Sequence, residues 1–498
     1  MLKKTPPSPL VVLMLVIVVA AIATWLMPAG QYDSLSFENN SFVVTESGKQ
    51  THLPFAQKTL DSLHMLIRAE KFKNGDIRKP VSIPGTYHRL PQNRQGPVAI
   101  LEAPLKGLYD AVEIVFFILF IGGFLNVFNS SGTLEKSLFA LSHNMRGKEK
   151  WLIIILTFLF SFAGASYGMA EEALVFYPVM TPLFLAAGYD LIVPVAVIFA
   201  GTNLGVLSSF SNPFSTIIAS QVAGVNWTDG LTGRILMFVV STFVTIAYIL
   251  NYAKKIKANP ELSLVYRTDG NVKSPYGTLE NDSNTKQTLG TKTRLLLFMF
   301  LGTFLMMIFG VVFLGWWLLE MSGLFLVSSI ITALILRMKE KTFINKFIQG
   351  AESLLGVSLI VGTARGVTII LNNGYISDTI LYYSANLVSH LSPALFIIIM
   401  LILYIVFTIF ISSSSGMAVV TMPIMGSLAL AAGVPGREIV NAYLYGMGIM
   451  GFITPTGLIL PSLALANVSY KAWIKFIYPL MIILFVLCTL FLIIGIKL

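Results

Sequence analysis

The fold is decided by the stretch SFAGASYGMAEE at residues 161–172, where two adjacent carboxylates follow a cluster of small residues between apolar runs. A second polar break, SSFSNP, occupies residues 208–213 and again has apolar sequence on both sides. An ionisable side chain at membrane depth costs at least about 2.5 kcal/mol and usually marks function. Irregular backbone survives at that depth only where protein or a water-filled cavity satisfies its polar groups. Residues 161–216 therefore predict a transporter binding site.

The composition is that of a membrane protein. The chain has 498 residues, of which 55% are hydrophobic and only 12% charged, whereas about a quarter of the residues of a soluble globule are charged. Several apolar runs reach the ~20 residues that cross a bilayer. We predict an all-α polytopic membrane protein. With one cysteine, Cys488, and few scattered histidines, we expect no disulfide framework, metal site or redox cofactor.

The charge distribution predicts the orientation. Lys3 and Lys4 precede the first apolar run, residues 9–27, and place the N-terminus in the cytoplasm. This run resembles a signal peptide but is long for one, so we expect an uncleaved span. The basic residues of the short loops fall mostly on the cytoplasmic side, as the positive-inside rule requires. The net charge of +10 thus reflects topology, and no nucleic-acid partner is expected.

Two pairs of apolar runs, the first of them short, predict re-entrant hairpins. Residues 151–163 would cover only about 20 Å as a helix, too little to cross, and residues 173–187 are equally short. They predict a hairpin that enters from the cytoplasm and returns there, with residues 164–168 at its tip. Residues 393–411 and 417–432 repeat this pattern around the tip SSSSG, from the opposite side.

The two halves are related in sequence. GMA recurs at residues 168–170 and 416–418, and LAAG recurs at 185–188 and 430–433. Each hairpin precedes a broken helix, as in transporters built from inverted repeats; chance similarity of Gly/Ala-rich helices is the alternative. We divide the chain into a first span (1–29), an extracytoplasmic loop (30–111), a first inverted repeat (112–251), a cytoplasmic linker (252–293), a connecting span (294–312) and a second inverted repeat (313–498). The extracytoplasmic loop has short strands or turns and an interfacial helix at 101–111. The first repeat includes a cytoplasmic interfacial helix at 134–144, and the second includes a span at 354–371.

Specific motifs resemble a known family. They are SFAGASYGMAEE at 161–172 with FYP at 176–178, PGTY at 84–87, APLKG at 103–107 and TARG at 363–366. Together they resemble the YfcC-type branch of the anaerobic four-carbon-dicarboxylate carrier (DcuC) family over nearly the whole chain. The resemblance implies a transport domain that moves as an elevator against a scaffold, commonly in a homodimer of the bacterial cytoplasmic membrane. It implies a basic amino acid carrier, with arginine–ornithine exchange in some relatives and dicarboxylate transport in others.

The acidic pair is the main candidate for chemistry. Glu171 and Glu172 lie just past the first tip, and adjacent helical positions point about 100° apart, so we expect only one to face a ligand. That carboxylate would bind a cationic group of the substrate, or a coupling proton or sodium ion. Alternatively, backbone N–H groups at the start of the returning arm satisfy both. The second hairpin has Val419 and Val420 at these places.

Hydroxyl, amide and backbone groups at the breaks and tips are further candidates, because half-helix N-termini favour a carboxylate and freed carbonyls favour a cation. Arg365, inside an apolar span, could grip a substrate carboxylate, but could equally snorkel or tie domains together. Pro213 and Pro455 could also simply kink packed helices. The remaining candidate residues are Ser166, Asn203, Ser208, Ser209, Ser211, Asn212, Ser413, Ser414, Ser415, Thr454, Thr456 and Gly457.

These observations favour a secondary active transporter of an amino-acid-like organic ion. We expect a basic amino acid carrier or antiporter of the arginine/ornithine type, with a small-molecule substrate and the lipid bilayer as partners. The alternative substrate is a C4-dicarboxylate coupled to sodium or protons. An intramembrane hydrolase using a serine with Glu171 or Glu172 is disfavoured, because no histidine lies in a predicted span. A channel is disfavoured because paired hairpins indicate alternating access.

Overall fold

The computed structural model describes residues 9–38, 40–46, 49–73, 77, 80–133, 148–166, 168–265, 290–314, 316, 318–388 and 391–497. The interfacial helix predicted at 134–144 and most of the predicted linker lie outside these residues. Where the linker is described, the preceding helix continues to Ala258, so the predicted start of the linker at residue 252 is wrong.

The described part of the chain is mostly helical, and eight of its helices are long and apolar enough to cross a membrane. The 3-10 helix Glu171–Phe176 leads into the helix Tyr177–Ala186, and the π-helical turn Pro213–Ile217 leads into the helix Ile218–Val222. In chain order the helices are α1 (Pro9–Leu26), α2 (Gln57–Ser62), α3 (Glu70–Lys73), α4 (Pro97–Asp110), α5 (Val112–Asn129), α6 (Lys150–Ser166), α7 (Tyr177–Ala186), α8 (Ile192–Leu207), α9 (Ile218–Val222), α10 (Leu231–Ala258), α11 (Thr291–Leu314), α12 (Leu318–Leu336), α13 (Glu340–Asn373), α14 (Ser377–Val388), α15 (Pro393–Phe410), α16 (Ser414–Ala431), α17 (Gly436–Gly451), α18 (Ile459–Ala466) and α19 (Tyr470–Lys497).

Most of these helices form two packed groups. Helices α1, α4 and α5 pack on α13, α12 packs on α5 and α11 packs on α12; we call these six helices the α13 group. Hairpin 1 (α6 and α7), hairpin 2 (α15 and α16), the two broken helices (α8 with α9, and α17 with α18), α10 and α19 form the hairpin group. Within each group the helices are in extensive contact, whereas the contacts between the groups are sparse.

Helix α13 is longer than the span predicted at residues 354–371. It runs for 34 residues without interruption. The helix predicted at residues 101–111 begins earlier, at Pro97, which suits the first turn because proline has no N–H to satisfy there, and it packs along α13. A β-carbon on Gly107 would lie 2.1 Å from the carbonyl oxygen of Gly362. Such backbone contact between small residues is how membrane helices associate closely.

The two hairpins open at opposite ends of α10. At its C-terminal end, Lys257 Nζ lies 3.3 Å from the Glu149 carboxylate and 3.5 Å from the Ala187 carbonyl oxygen, so both ends of hairpin 1 meet there. At its N-terminal end, Gly230 contacts Arg437, which follows hairpin 2. Because α10 has 28 residues, these ends are about 40 Å apart.

Residues 30–89, which we call the β-segment, contain six short strands, so the all-α prediction applies to the helical groups only. Strands β2 (Ser34–Glu38), β3 (Ser41–Glu46), β4 (Lys49–Leu53) and β5 (Val81–Ser82) form an antiparallel sheet in the order β4-β3-β2-β5, and β1 (Gly30–Gln31) pairs with β6 (His88–Arg89).

The β-segment is fastened to helix α14. The Tyr32 N–H donates to the Asp378 carboxylate over 3.0 Å, and the ring of Tyr87 stacks on Tyr382 with centroids 4.0 Å apart. Burial raises the pKa of Asp378, and the hydrogen bond from Tyr32 opposes this shift. The β-segment thus closes the end of the molecule at which hairpin 2 opens.

Candidate functional site

A cavity of about 320 Å³ lies where the two hairpin tips meet the two broken helices. Helices α5 and α13 close it from the α13 group through Ile114, Val361 and Arg365. The cavity is therefore built by both helix groups. The predicted site residues that border it are Glu171, Glu172, Asn203, Arg365, Ser413, Ser414, Ser415, Thr454, Thr456 and Gly457.

The tip of hairpin 1 ends helix α6 with a sharp turn. Gly168 has a φ of +88°, and a β-carbon there would lie 2.6 Å from Asn212 Oδ1. An L side chain is disfavoured at such a φ, so only glycine fits both the turn and the space. After this turn the chain enters the 3-10 helix Glu171–Phe176, which brings the acidic pair to the cavity.

Glu171 and Glu172 both border the cavity, and which of the two would face a ligand stays a prediction. The returning arm begins as a 3-10 helix at the tip, so the geometry of a regular α-helix does not apply there. Glu172 is 7% exposed, and its Oε2 accepts a hydrogen bond of 2.9 Å from the Ala170 N–H. Glu171 is half-buried. The ion pairs among the described residues include neither carboxylate.

Asn212 fastens the first broken helix to hairpin 1. Its Nδ2 donates to the Gly164 carbonyl over 3.1 Å, and its Oδ1 accepts from the Phe214 N–H over 2.9 Å. Ser211 Oγ donates to the Ser166 carbonyl over 3.1 Å. These contacts satisfy backbone groups that the tip and the break would otherwise leave unpaired at membrane depth.

Five predicted site residues, Ser166, Ser208, Ser209, Ser211 and Asn212, do not border the cavity. Ser208 Oγ and Ser166 Oγ donate to carbonyls of the preceding turn, over 2.8 Å and 2.6 Å. Ser209 Oγ lies 2.5 Å from Thr216 Oγ1, across the break. The polar break thus supports the tip of hairpin 1 from behind, and its role in binding stays a prediction.

Asn203 links the two broken helices. Its Nδ2 donates to the Gly448 carbonyl over 2.7 Å, and a β-carbon on Gly451 would lie 2.3 Å from Asn203 Oδ1. The Asn203 side chain therefore has room only because residue 451 is glycine. This contact holds the two halves of the hairpin group in register beside the cavity.

The tip of hairpin 2 presents the start of helix α16. Ser413 caps this helix by accepting from the Gly416 N–H over 3.3 Å, and the Ser414 carbonyl accepts from Tyr443 Oη over 2.8 Å. Ser414 and Ser415 begin the helix, so their N–H groups have no partner within it. The N-terminal end of an α-helix favours an anion.

The second break supplies two adjacent hydroxyls. Thr454 Oγ1 and Thr456 Oγ1 lie 2.9 Å apart, and Thr456 Oγ1 also donates to the Ile409 carbonyl over 3.1 Å. Gly457 completes the turn at the cavity wall. The second half thus offers the cavity hydroxyls and backbone dipoles, whereas the first half offers carboxylates.

Arg365 brings the opposite charge from the α13 group. It is half-buried on helix α13 and borders the cavity. The ion pairs of the described residues do not include it. Arg365 is therefore a positively charged residue at the cavity wall.

Sequence reasoning missed two polar residues of the cavity wall, Thr202 and Thr408. Thr202 and Thr408 donate to carbonyls of their own helices, over 2.8 Å and 2.6 Å, and give no signal inside an apolar run. Ser412, the first residue of the serine tip whose side chains were predicted as candidates, also borders the cavity. Among the described residues, no group of three or more His, Cys, Asp or Glu could hold a metal ion.

Comparison with known proteins gives a consistent family. The model of the C4-dicarboxylate anaerobic carrier family, DcuC, matches residues 7–497. An uncharacterized protein of Haemophilus influenzae is 38% identical over 99% of this chain and 97% of its own. The "Putative basic amino acid antiporter YfcC" of Escherichia coli is 30% identical over 97% and 95%. Among solved structures, the Alcanivorax borkumensis YdaH transporter covers 99% of this chain and 98% of its own, with 13% identity and a TM-score of 0.41.

Proposed function

The chain belongs to the DcuC family of membrane carriers, and on this premise we propose that it is a secondary active transporter of a basic amino acid, working as an antiporter. It is a multi-pass membrane protein of a transporter family and not an enzyme. The observation that carries the proposed substrate is the cavity in which Glu171 and Glu172 lie with no Lys, Arg or His of the described residues at ion-pair distance.

A buried carboxylate that stays ionised needs a compensating positive charge, because an uncompensated ion pays the full cost of leaving water. Glu172 is almost fully buried, and its carboxylate accepts a hydrogen bond from the Ala170 N–H. The guanidinium of arginine or the ammonium of ornithine or lysine would supply the missing charge. A guanidinium can also bind a carboxylate through two parallel hydrogen bonds.

The other end of a basic amino acid is a carboxylate, which hairpin 2 is suited to bind. The start of helix α16 at Ser414 and Ser415 favours an anion, and the Thr454 and Thr456 hydroxyls border the same cavity. The substrate would therefore lie between the halves, with its side-chain cation toward hairpin 1. A coupling proton or sodium ion remains part of this proposal through the same acidic pair.

The proposed mechanism is an elevator built from two inverted repeats. Two features support it: the hairpins open at opposite ends of α10, and the α13 group contacts the hairpin group only sparsely. The hairpin group would carry the substrate past the α13 group. A homodimer in the bacterial cytoplasmic membrane, with the N-terminus inside, and the repeat boundaries at 112–251 and 313–498 belong to the same proposal.

A C4-dicarboxylate is the second candidate substrate, and Arg365 is the observation that favours it. With Arg365 and the start of α16 on the same cavity, two carboxylates could each find a positive partner. Sodium ions or protons would then neutralise Glu171 and Glu172.

Counterflow in proteoliposomes tests the proposal. Vesicles containing the purified protein are loaded with unlabelled arginine, ornithine, lysine or succinate, and each labelled compound is offered outside, with protein-free vesicles as the control. We expect labelled arginine to accumulate in vesicles loaded with a basic amino acid. Succinate counterflow without counterflow of any basic amino acid would contradict the proposed substrate and support the second candidate.

A further inference from the structure

We propose that Asn203 binds the α-amino group of the substrate, with its Oδ1 accepting a hydrogen bond from the ammonium. The inference deepens the proposed function and rests on it, since that function places the side-chain cation at hairpin 1 and the carboxylate at hairpin 2. The α-ammonium is the third charged group of a basic amino acid and has no partner in that arrangement. Its N–H donors need acceptors once water is removed.

The orientation of the Asn203 amide is set by helix α17. Gly448 belongs to the last turn of α17, where the backbone carbonyls have no partner within the helix. Asn203 Nδ2 donates to the Gly448 carbonyl over 2.7 Å. Because a carbonyl oxygen accepts and cannot donate, the NH₂ group of the amide must face Gly448. The amide oxygen Oδ1 is therefore directed away from that carbonyl.

The amide oxygen is available to a ligand. Asn203 and Gly451 both border the cavity, and Oδ1 lies so close to Gly451 that a β-carbon there would be only 2.3 Å away. Among the described residues none donates a hydrogen bond to Oδ1, and Oδ1 is not one of their unpaired polar atoms that are sealed from solvent. Oδ1 is therefore an accessible acceptor of fixed orientation, which is the kind of polar group that orients a ligand in a pocket.

The position of Oδ1 also suits the chemistry of an amino acid. The α-carbon carries the ammonium and the carboxylate together, so their two binding sites must be adjacent. Gly451, which Oδ1 contacts, is the last residue of α17, and Thr454 and Thr456 follow it in the second break. These two hydroxyls border the cavity and are among the groups proposed to bind the carboxylate. Asn203 thus offers an acceptor for the ammonium beside the proposed carboxylate site.

The glycine at residue 451 gives a second way to displace the same oxygen. Gly451 is helical, so alanine suits its backbone. The added β-carbon would nevertheless overlap Asn203 Oδ1 and force the amide to move. Gly451→Ala should therefore change the recognition of the α-amino group while Asn203 itself is kept.

The test compares arginine with 5-guanidinopentanoate, which is arginine without its α-amino group. Each compound competes with labelled arginine for counterflow into proteoliposomes loaded with unlabelled arginine. For the wild type we expect 5-guanidinopentanoate to be roughly tenfold or more weaker as an inhibitor, since it lacks a hydrogen bond made by a charged group. In Asn203→Ala the half-inhibitory concentration of arginine should rise by roughly tenfold, whereas that of 5-guanidinopentanoate should stay nearly constant. A purely structural role of Asn203 would weaken both compounds alike.

Gly451→Ala should reproduce this loss of discrimination. The matched control is Asn226→Ala, which removes an exposed asparagine that does not border the cavity and accepts from the Thr228 N–H; it should keep the wild-type ratio of the two inhibitory concentrations.

Equal inhibition of the wild type by the two compounds would overturn the inference and leave the proposed function intact, whichever variants assemble. A wild-type ratio in correctly assembled Asn203→Ala would also overturn it, because the ammonium would then be bound elsewhere. Absence of any basic amino acid counterflow by the wild type would overturn the proposed function, and the inference with it.

Discussion

The two hairpins share a sequence plan but differ in how they meet the cavity. In hairpin 1 the returning arm begins as a 3-10 helix that carries Glu171 and Glu172. In hairpin 2 it begins as a regular α-helix capped by Ser413, with Val419 where the first acid would fall. One tip therefore presents negative charge and the other a helix N-terminus. The difference suits a substrate with a cation at one end and a carboxylate at the other.

The matched glycines of the GMA motifs also have different roles. Gly168 lies in the tip turn with a φ of +88°, whereas Gly416 lies inside the first turn of helix α16 and donates to its cap. The sequence match is thus closer than the structural match. The turn at the second tip is shorter, because helix α16 begins at Ser414, before the shared glycine.

The largest expected effect comes from removing the charge that distinguishes hairpin 1. Glu172→Gln should reduce arginine counterflow by roughly thirtyfold or more, since losing one partner of a buried charge pair costs about 2 kcal/mol or more. Glu102→Gln is the matched control, because Glu102 is exposed and pairs with Lys106 on α4. Size-exclusion profiles check assembly. Normal counterflow by both Glu171→Gln and Glu172→Gln would mean that the acidic pair is structural.

An intermediate effect is expected from the two matched glycines. Gly168→Ala forces an L residue into the left-handed region and places its β-carbon against Asn212, so we expect a loss of about 1–2 kcal/mol or more in the free energy of unfolding. Gly416→Ala should be tolerated better, since alanine favours a helix over glycine by about 1 kcal/mol. Thermal unfolding midpoints of the purified variants measure the difference. Equal midpoints would show that the two tips are structurally equivalent.

The smallest effect is expected from the polar residues that support each tip. Asn212→Ala removes two hydrogen bonds, one of them a cap, and should lower the free energy of unfolding by about 1–2 kcal/mol. Ser413→Ala removes one long cap bond and should cost about 0.5–1 kcal/mol. Thermal unfolding midpoints of the two purified variants show which substitution costs more stability. A larger loss for Ser413→Ala would reverse the proposed difference in how the tips are supported.

Much of the helical architecture could be predicted from the sequence, because short apolar runs and polar breaks report directly on helix length. The break at residues 208–212 occurs where predicted. The strand pairing of the β-segment could not be predicted, since alternating patterns there are short and interrupted by proline. The merger of residues 340–373 into one helix was also missed, because its charged first turns resemble a loop.

The candidate site was predicted in outline and not in detail. Ser208, Ser209 and Asn212 have the residue types expected of ligands, but they are occupied by the backbone of hairpin 1 and of their own helices. Residue type cannot distinguish a side chain that binds substrate from one that hydrogen-bonds the backbone groups left unpaired at a broken helix. Only the packing of the tip against the break separates the two.

The sequence by itself determined that this chain crosses a membrane, where its helices are interrupted and which half carries the acids. These properties depend on hydrophobicity and charge along the chain, which local sequence contains. The tertiary structure alone decided that Arg365, nearly two hundred residues from Glu172, borders the same cavity. That meeting depends on the close approach of Gly107 to Gly362 and on how the helix groups pack. Such contacts arise from three-dimensional fit, which no local pattern encodes.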